Sequence, residues 1–315
     1  MILSLVFLLA GFALLTWGAD RLVEGSSSIA LKMGLTPLVI GITLVAFGTS
    51  APELVVSIRA TLAGNADIAI GNVIGSNIAN IALILGATAL IRPLAIHRDL
   101  LKVDVPLMMV ITFIAAVFIL DDVIGRLEGA ILFTGLVAYI AFNLKRARSL
   151  PEDLVGQIVE QPDEKAATMS TLKASMWVVL GLGLLVLGAE LLVKGAVDIA
   201  TRLGISQAVI GITVVSIGTS LPELATSLVA AIKKKSDIAV GNIIGSNVFN
   251  VLSILGITGM IHPLDSSSFG LMDMAVMLGL TIVIWPMMRR GWELNRLEGG
   301  LLLFIYGAYL IWLII

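Results

Sequence analysis

Apolar residues run through this chain in ten stretches separated by short polar breaks. They fall at roughly 1–19, 37–62, 69–91, 104–120, 128–145, 175–193, 207–232, 239–261, 271–288 and 298–315. Most reach the ~17–25 residues that a helix needs to cross a bilayer. Lipid offers no partner to an open backbone N–H or C=O, so such segments are expected to be helices. The first stretch lacks a basic leader, and its copy lies mid-chain, so it reads as a span rather than a cleaved signal.

The polar positions inside these stretches are few, and they occur twice. GITLVAFGTSAPEL at 41–54 returns as GITVVSIGTSLPEL at 211–224, and DIAIGNVIGSNIAN at 67–80 returns as DIAVGNIIGSNVFN at 237–250. The offset is 170 residues without a gap, and it also pairs Gly18-Ala19 with Gly188-Ala189 and Arg126 to Gly129 with Arg296 to Gly299. The chain therefore divides into a first five-helix copy (1–145), a linker loop (146–174) and a second copy (175–315). The expected fold is an all-α integral membrane protein of ten transmembrane helices, arranged as two inverted-topology five-helix repeats.

Inversion follows from the odd number of spans and, independently, from charge. With the N terminus outside, the cytoplasmic loops hold 16 of the 20 basic residues. Both termini then face outside, and the 146–174 loop faces the cytoplasm. AGNAD (63–67) carries no basic residue, while its copy KKKSD (233–237) carries three; basic RPLAIHRDLLK (92–102) has a copy, HPLDSSSFGLM, with no Lys or Arg. Inverted repeats are a common plan of secondary transporters, which bind substrate near the midplane where the repeats meet.

Composition narrows the classes. The chain is 58% hydrophobic and 13% charged, with mean hydropathy +1.05, which excludes an ordinary soluble domain. No cysteine is present, so disulfides, thiolate metal sites and thiol chemistry are out. A net charge of −2 gives no reason to expect nucleic acid.

Glu53 and Glu223 are the informative residues. Each sits about halfway along its span, where an acid costs roughly 2.5–3.5 kcal/mol. That cost is tolerated when the acid faces a polar cavity, meets a cation or is protonated. GTSAPE and GTSLPE also put Gly and Pro at mid-membrane. Pro52 and Pro222 lack an N–H and are expected to free carbonyls near residues 48 and 218. With the hydroxyls of Thr49, Ser50, Thr219 and Ser220, these are hard oxygen donors of the kind Ca²⁺ takes. In the second motif, Asn72, Ser76 and Asn80 fall on one helix face, as do Asn242, Ser246 and Asn250. Ser76, Asn80, Ser246 and Asn250 are expected to line the site with neutral oxygens. Asn72, Asn77, Asn242 and Asn247 read as interhelical bridges, Gly71, Gly75, Gly241 and Gly245 as packing positions, and Asp67 and Asp237 as helix N-caps.

The paired GTSxPE and GNxxGSNxxN blocks resemble the two α-repeats of the cation/Ca²⁺ exchanger superfamily, in its Na⁺/Ca²⁺ exchanger branch, over essentially the whole chain. The resemblance implies ten helices, alternating access and exchange of about three Na⁺ for one Ca²⁺. By position it makes Glu53 and Glu223 the acids shared by Ca²⁺ and Na⁺, with Thr49 and Thr219 as oxygen-donating neighbours. Ala46, Ser50, Ser216 and Ser220 match positions lining Na⁺ sites, and Ser76, Asn80, Ser246 and Asn250 match the polar positions of flanking helices. Asn250 stands where some members, including the K⁺-dependent branch, carry Asp; this leaves two carboxylates in the core. The 146–174 loop is too short for the regulatory Ca²⁺-binding domains of animal exchangers.

The expected function is secondary antiport of Na⁺ and Ca²⁺ across the cell membrane, with those ions as substrates and no cofactor or obligatory protein partner. An H⁺/Ca²⁺ antiporter using the same acids is the nearest alternative. A cation channel or an intramembrane enzyme fits less well: filters are usually built symmetrically from several subunits, and His97 and His262 sit beside prolines at span ends with no Ser–His arrangement.

Overall fold

The computed structural model describes residues 2–65, 67–148, 168–204, 216–267 and 271–314. Its helices are α1 (Ile2–Met33), α2 (Pro37–Thr49), α3 (Ala51–Leu62), α4 (Ile68–Ile91), α5 (Leu100–Ile119) and α6 (Arg126–Arg148) in the first copy. The second copy gives α7 (Thr171–Arg202), α8 (Ser216–Thr219), α9 (Leu221–Ile232), α10 (Ser236–Ile261), α11 (Leu271–Arg289) and α12 (Arg296–Ile314). Among the described residues eight helices are long and apolar enough to cross a membrane, and α2 with α3 makes one more span, bent by 40°. The equivalent span predicted at 207–232 is described only from Ser216 onward, as α8 and α9. The 146–174 linker lies largely outside the described residues.

Two helices outrun their apolar stretches. α1 continues to Met33, well past the expected end near 19, because its charged residues find partners without breaking the helix. Arg21 bonds Asp20 (2.7 Å) and Glu24 (3.0 Å), and its guanidinium lies 4.7 Å from the Trp177 ring of α7. α7 likewise runs from Thr171, capped by the Ser170 hydroxyl, to Arg202.

The inversion is visible in how the copies touch. α1 and its equivalent α7 run antiparallel and meet through glycine. A Cβ on Gly11 would lie 2.7 Å from the Gly188 carbonyl oxygen, and one on Gly181 would lie 2.7 Å from that of Gly18. Gly25 meets the carbonyl of Ala174 as Gly195 meets that of Ser4, so each contact has its image 170 residues on. Backbones this close leave no room for a side chain. The same twofold relation governs four short strands that the sequence reading did not foresee. Leu94–Ala95 (β1) pairs with Glu293–Leu294 (β4), and Val123–Ile124 (β2) with Leu264–Asp265 (β3), both antiparallel. Each pair ties a loop of one copy to the non-equivalent loop of the other.

α10 is buried along its whole apolar length and α4 along most of it, so the two copies of the GNxxGSNxxN motif form the centre of the bundle. Gly245 lets the α2 backbone approach until a Cβ would lie 2.7 Å from the Ile42 oxygen, in line with the packing role expected of it. Asp237 departs from expectation. The N-cap of α10 is Lys235, with no side-chain cap bond, and Asp237 sits inside the first turn. The Asp67 side chain lies outside the described residues.

Candidate functional site

The bend after α2 positions the first acid. Ser50 leaves the helix at φ −84°, ψ 0°, and α3 restarts at Ala51 with Pro52 and Glu53 in its first turn. Pro costs nothing there, since first-turn N–H groups have no intrahelical acceptor. Ser220, Leu221, Pro222 and Glu223 repeat the arrangement at the start of α9. The proline thus restarts a helix as well as breaking one, and each acid lies at a positive helix N-terminus.

Glu53 and Glu223 are 1% and 0% exposed, buried as completely as any aliphatic residue of the core. They lie within electrostatic reach of each other. Ser50 donates to Glu223 Oε1 across the repeat boundary (3.1 Å). The Ser220 hydroxyl stands beside Glu53 in the mirrored position. Among the described residues, both Glu53 carboxylate oxygens and Oε2 of Glu223 have no hydrogen-bond partner. Buried polar atoms are almost always satisfied, so three carboxylate oxygens without a bond among the described residues mark a place that a bound cation would complete.

The remaining candidates surround these acids. The Thr49 hydroxyl donates to Asn242 Oδ1 (3.0 Å) and lies 3.5 Å from Ser246 Oγ, both on α10. Ser220 reaches Ser76 of α4 at 3.4 Å. Among the described residues, buried Asn80 has neither amide atom bonded and buried Asn250 has no partner for Oδ1. Ala46 is buried, and its carbonyl already accepts from Ser50 N (3.0 Å). Thr219 is half-buried and lines a cavity described below. The Ser216 side chain lies outside the described residues. Asn80 and Asn250 both fall in π-helical turns, Ala79–Leu85 and Asn250–Leu255, a backbone device often found at functional sites.

Asn72 and Asn242 act as the expected bridges. Asn72 Nδ2 donates to Ser57 Oγ (2.9 Å) and the Glu53 carbonyl (3.2 Å), while Asn242 Nδ2 donates to Ser227 Oγ (3.0 Å) and the Glu223 carbonyl (3.4 Å). Each fixes the first turn of an acid-bearing helix. Among the described residues no cluster of three or more His, Cys, Asp or Glu forms. The donor set is therefore two carboxylates among hydroxyl and amide oxygens, which suits a hard cation such as Ca²⁺ or Na⁺.

The surroundings of the site are not symmetric. On the face where α1 begins and α7 ends, a cavity of about 620 Å³ lies between α3 and α7 and reaches Thr219 and Pro222. Arg59, Glu190 and Lys194 line it. At the opposite face α1 packs along α9. Lys233 bonds Asp20 there at 2.5 Å, and Lys235 bonds Ser27 at 2.9 Å. Ser26, Ser28 and Thr226 are buried, with hydroxyls unpartnered among the described residues. The sequence reading missed these groups. A usable signal was Arg59, a basic residue inside a span whose copy is Val229.

Two inverted helical repeats that enclose a buried pair of carboxylates define a secondary cation transporter. The sodium/calcium exchanger protein family matches residues 3–145 and 173–315. CaxA of Alkalimonas amylolytica is 42% identical over 314 residues, 98% of this chain and 98% of that protein. The sodium/calcium exchanger MaX1 of Methanosarcina acetivorans is 35% identical over 342 residues, 98% of this chain and 97% of that one. A solved structure of the sodium-calcium exchanger NCX_Mj superposes with TM-score 0.84 at 32% identity, over 99% of each chain. The chain belongs to the sodium/calcium exchanger family. It is a multi-pass membrane transporter of the cation/Ca²⁺ exchange class, not an enzyme.

Proposed function

We propose that this chain exchanges Na⁺ for Ca²⁺ by alternating access at the Glu53–Glu223 site. The observation that carries the reading is the buried acid pair with three of its oxygens unbonded. Thr49, Ser50, Thr219, Ser220, Ser76, Asn80, Ser246 and Asn250 complete the oxygen set, and Ala46 and Ser216 line Na⁺ positions. With both acids ionised the unloaded site carries −2. One Ca²⁺ or two Na⁺ neutralise it, and a third Na⁺ leaves +1. Loaded states cross because charge is compensated, while the bare −2 site does not, and this enforces exchange over leak. Three-for-one exchange moves one charge per cycle, worth about 2.3 kcal/mol per 100 mV, so an inside-negative potential drives Ca²⁺ extrusion.

The bias of Lys and Arg supports a cell-membrane orientation with both termini outside and the 146–174 loop in the cytoplasm. In that orientation the cavity beside Arg59 opens outward and the α1–α9 seam closes the cytoplasmic side. Sliding the glycine-packed α1–α7 pair across the other helices would close one path and open the other.

The deciding experiment is ⁴⁵Ca²⁺ uptake into proteoliposomes loaded with Na⁺, beside K⁺-loaded and acid-loaded controls. Uptake that requires an outward Na⁺ gradient is expected, enhanced by a membrane potential of the appropriate sign. Uptake driven by protons instead would move the protein to H⁺/Ca²⁺ exchange, and voltage-independent uptake would exclude three-for-one coupling.

Lys233→Gln tests the cytoplasmic seal. The Lys233–Asp20 pair is partly exposed, so its loss is expected to cost only about 0–1 kcal/mol and shift the inward-open population up to about fivefold. A Cys at Thr226, introduced into the naturally cysteine-free chain, should then label faster from the cytoplasmic side. An unchanged labelling rate would show that the ion pair does not hold the seam.

A further inference from the structure

Asn77 is not among the candidate cation ligands, yet it governs what one of them can offer. Its Nδ2 donates to the main-chain carbonyl of Asn247 (3.3 Å), and its Oδ1 accepts from Nδ2 of Asn250 (3.2 Å). A carbonyl oxygen can only accept, so the Asn247 end of this relay decides which way round the Asn77 amide sits. Asn77 must then present its oxygen to Asn250, and Asn250 must answer with its NH₂. The consequence falls on the far side of Asn250. Its Oδ1, in a residue 0% exposed, is left without a partner among the described residues. The π-helical turn that Asn250 opens packs against α3, the helix that carries Glu53.

Among the described residues no such relay holds Asn80. Asn247, the equivalent of Asn77, turns its Nδ2 to the Ile243 carbonyl of its own helix (2.7 Å). Asn80, the equivalent of Asn250, has neither amide atom bonded among the described residues. Two residues that look interchangeable in the repeat therefore differ: one amide is held in one orientation by Asn77, and the other has no bond among the described residues to hold it.

We infer that Asn77 is a positioning residue that locks Asn250 as a permanent oxygen donor to the transported cation, while Asn80 adapts to whichever ion is bound. The inference rests on the exchange reading above. A hydrogen bond to a charged partner is worth more than a neutral one because the oxygen dipole meets a full charge, and an amide free to rotate offers that dipole only part of the time.

The test is a double-mutant cycle on the purified full chain, with Ca²⁺ itself as ligand and calorimetry as readout. Asn77→Leu keeps the volume and removes the relay, and is expected to weaken Ca²⁺ binding about tenfold, the scale of one hydrogen bond to a charge. Asn250→Ala should weaken it at least as much. In the Asn77→Leu/Asn250→Ala protein the first substitution should add nothing further, since Asn77 acts only through Asn250. Should the leucine variant fail to fold, Asn77→Ser, whose hydroxyl is too short to span both partners, takes its place in the same cycle. Wild-type affinity in the Asn77 variant, or an effect that adds in full to that of Asn250→Ala, overturns the inference and leaves the exchange reading standing. Failure of the unmodified chain to bind Ca²⁺ would overturn both.

Discussion

Glu53→Gln and Glu223→Gln each abolish gradient-driven Ca²⁺ uptake. Glutamine keeps the shape of the side chain and one acceptor oxygen, so the bundle is expected to assemble. What changes is charge. With one carboxylate gone, a bound Ca²⁺ leaves an uncompensated positive charge in a buried site. Stranding a buried charge by removing its partner costs about 3–5 kcal/mol, a loss of at least about a hundredfold in affinity. The two variants should be equally severe, although Ser50 reaches Glu223 and the equivalent contact at Glu53 stays open. Glu53→Asp, which keeps the charge and shortens the arm, should retain measurable uptake with a raised KM. Sodium-dependent ⁴⁵Ca²⁺ uptake that persists in either glutamine variant would remove the acid pair from the mechanism.

The second large effect concerns stability. Gly181→Ala places a methyl group 2.7 Å from the Gly18 carbonyl oxygen and from the Leu22 amide nitrogen. Both obstacles are main chain, so no side chain can rotate away, and α1 and α7 must separate along their length. Overpacking costs about 1–3 kcal/mol, and a seam with no flexible neighbour should fall at the upper end. Gly183→Ala, two residues away on the same helix, meets nothing within 4 Å. There the added methyl should be neutral or stabilising by up to about 1 kcal/mol, because alanine is the better helix former. Thermal unfolding in detergent, followed by loss of the monodisperse peak, checks both. Equal behaviour of the two variants would mean the seam is looser than its glycines imply.

Much of this was open to a reader of the sequence, for a physical reason. A repeat at constant offset survives only where equivalent positions do equivalent work, so Glu53 and Glu223 stood out against an apolar background that penalises them. The inverted arrangement followed from counting spans and from lysines that changed loops between copies. The backbone was harder to foresee. Pro52 predicted a break, but not that Glu53 would sit in the first turn of a new helix, because restarting depends on what packs against the bend. Nor does periodicity announce the π-helical turns at Asn80 and Asn250. Asymmetry was hardest of all. Asn77 and Asn247 are equivalent in sequence and divergent in bonding, and no spacing says which side of the site is sealed. The Lys233–Asp20 pair joins residues 213 positions apart, and it depends on how α1 packs against α9.

The glycine seam between α1 and α7 carries one more consequence. Each of its contacts is matched by another with the two partners exchanged, the property of an interface between identical subunits. A single five-helix unit would bear both sides of that surface, and two such units inserted head-down and head-up would recognise one another along it. Joining them in one chain preserves the recognition and removes the need for two units to meet. It also couples their histories: a bulkier residue on either copy is met by the backbone of the other, so neither half can drift alone.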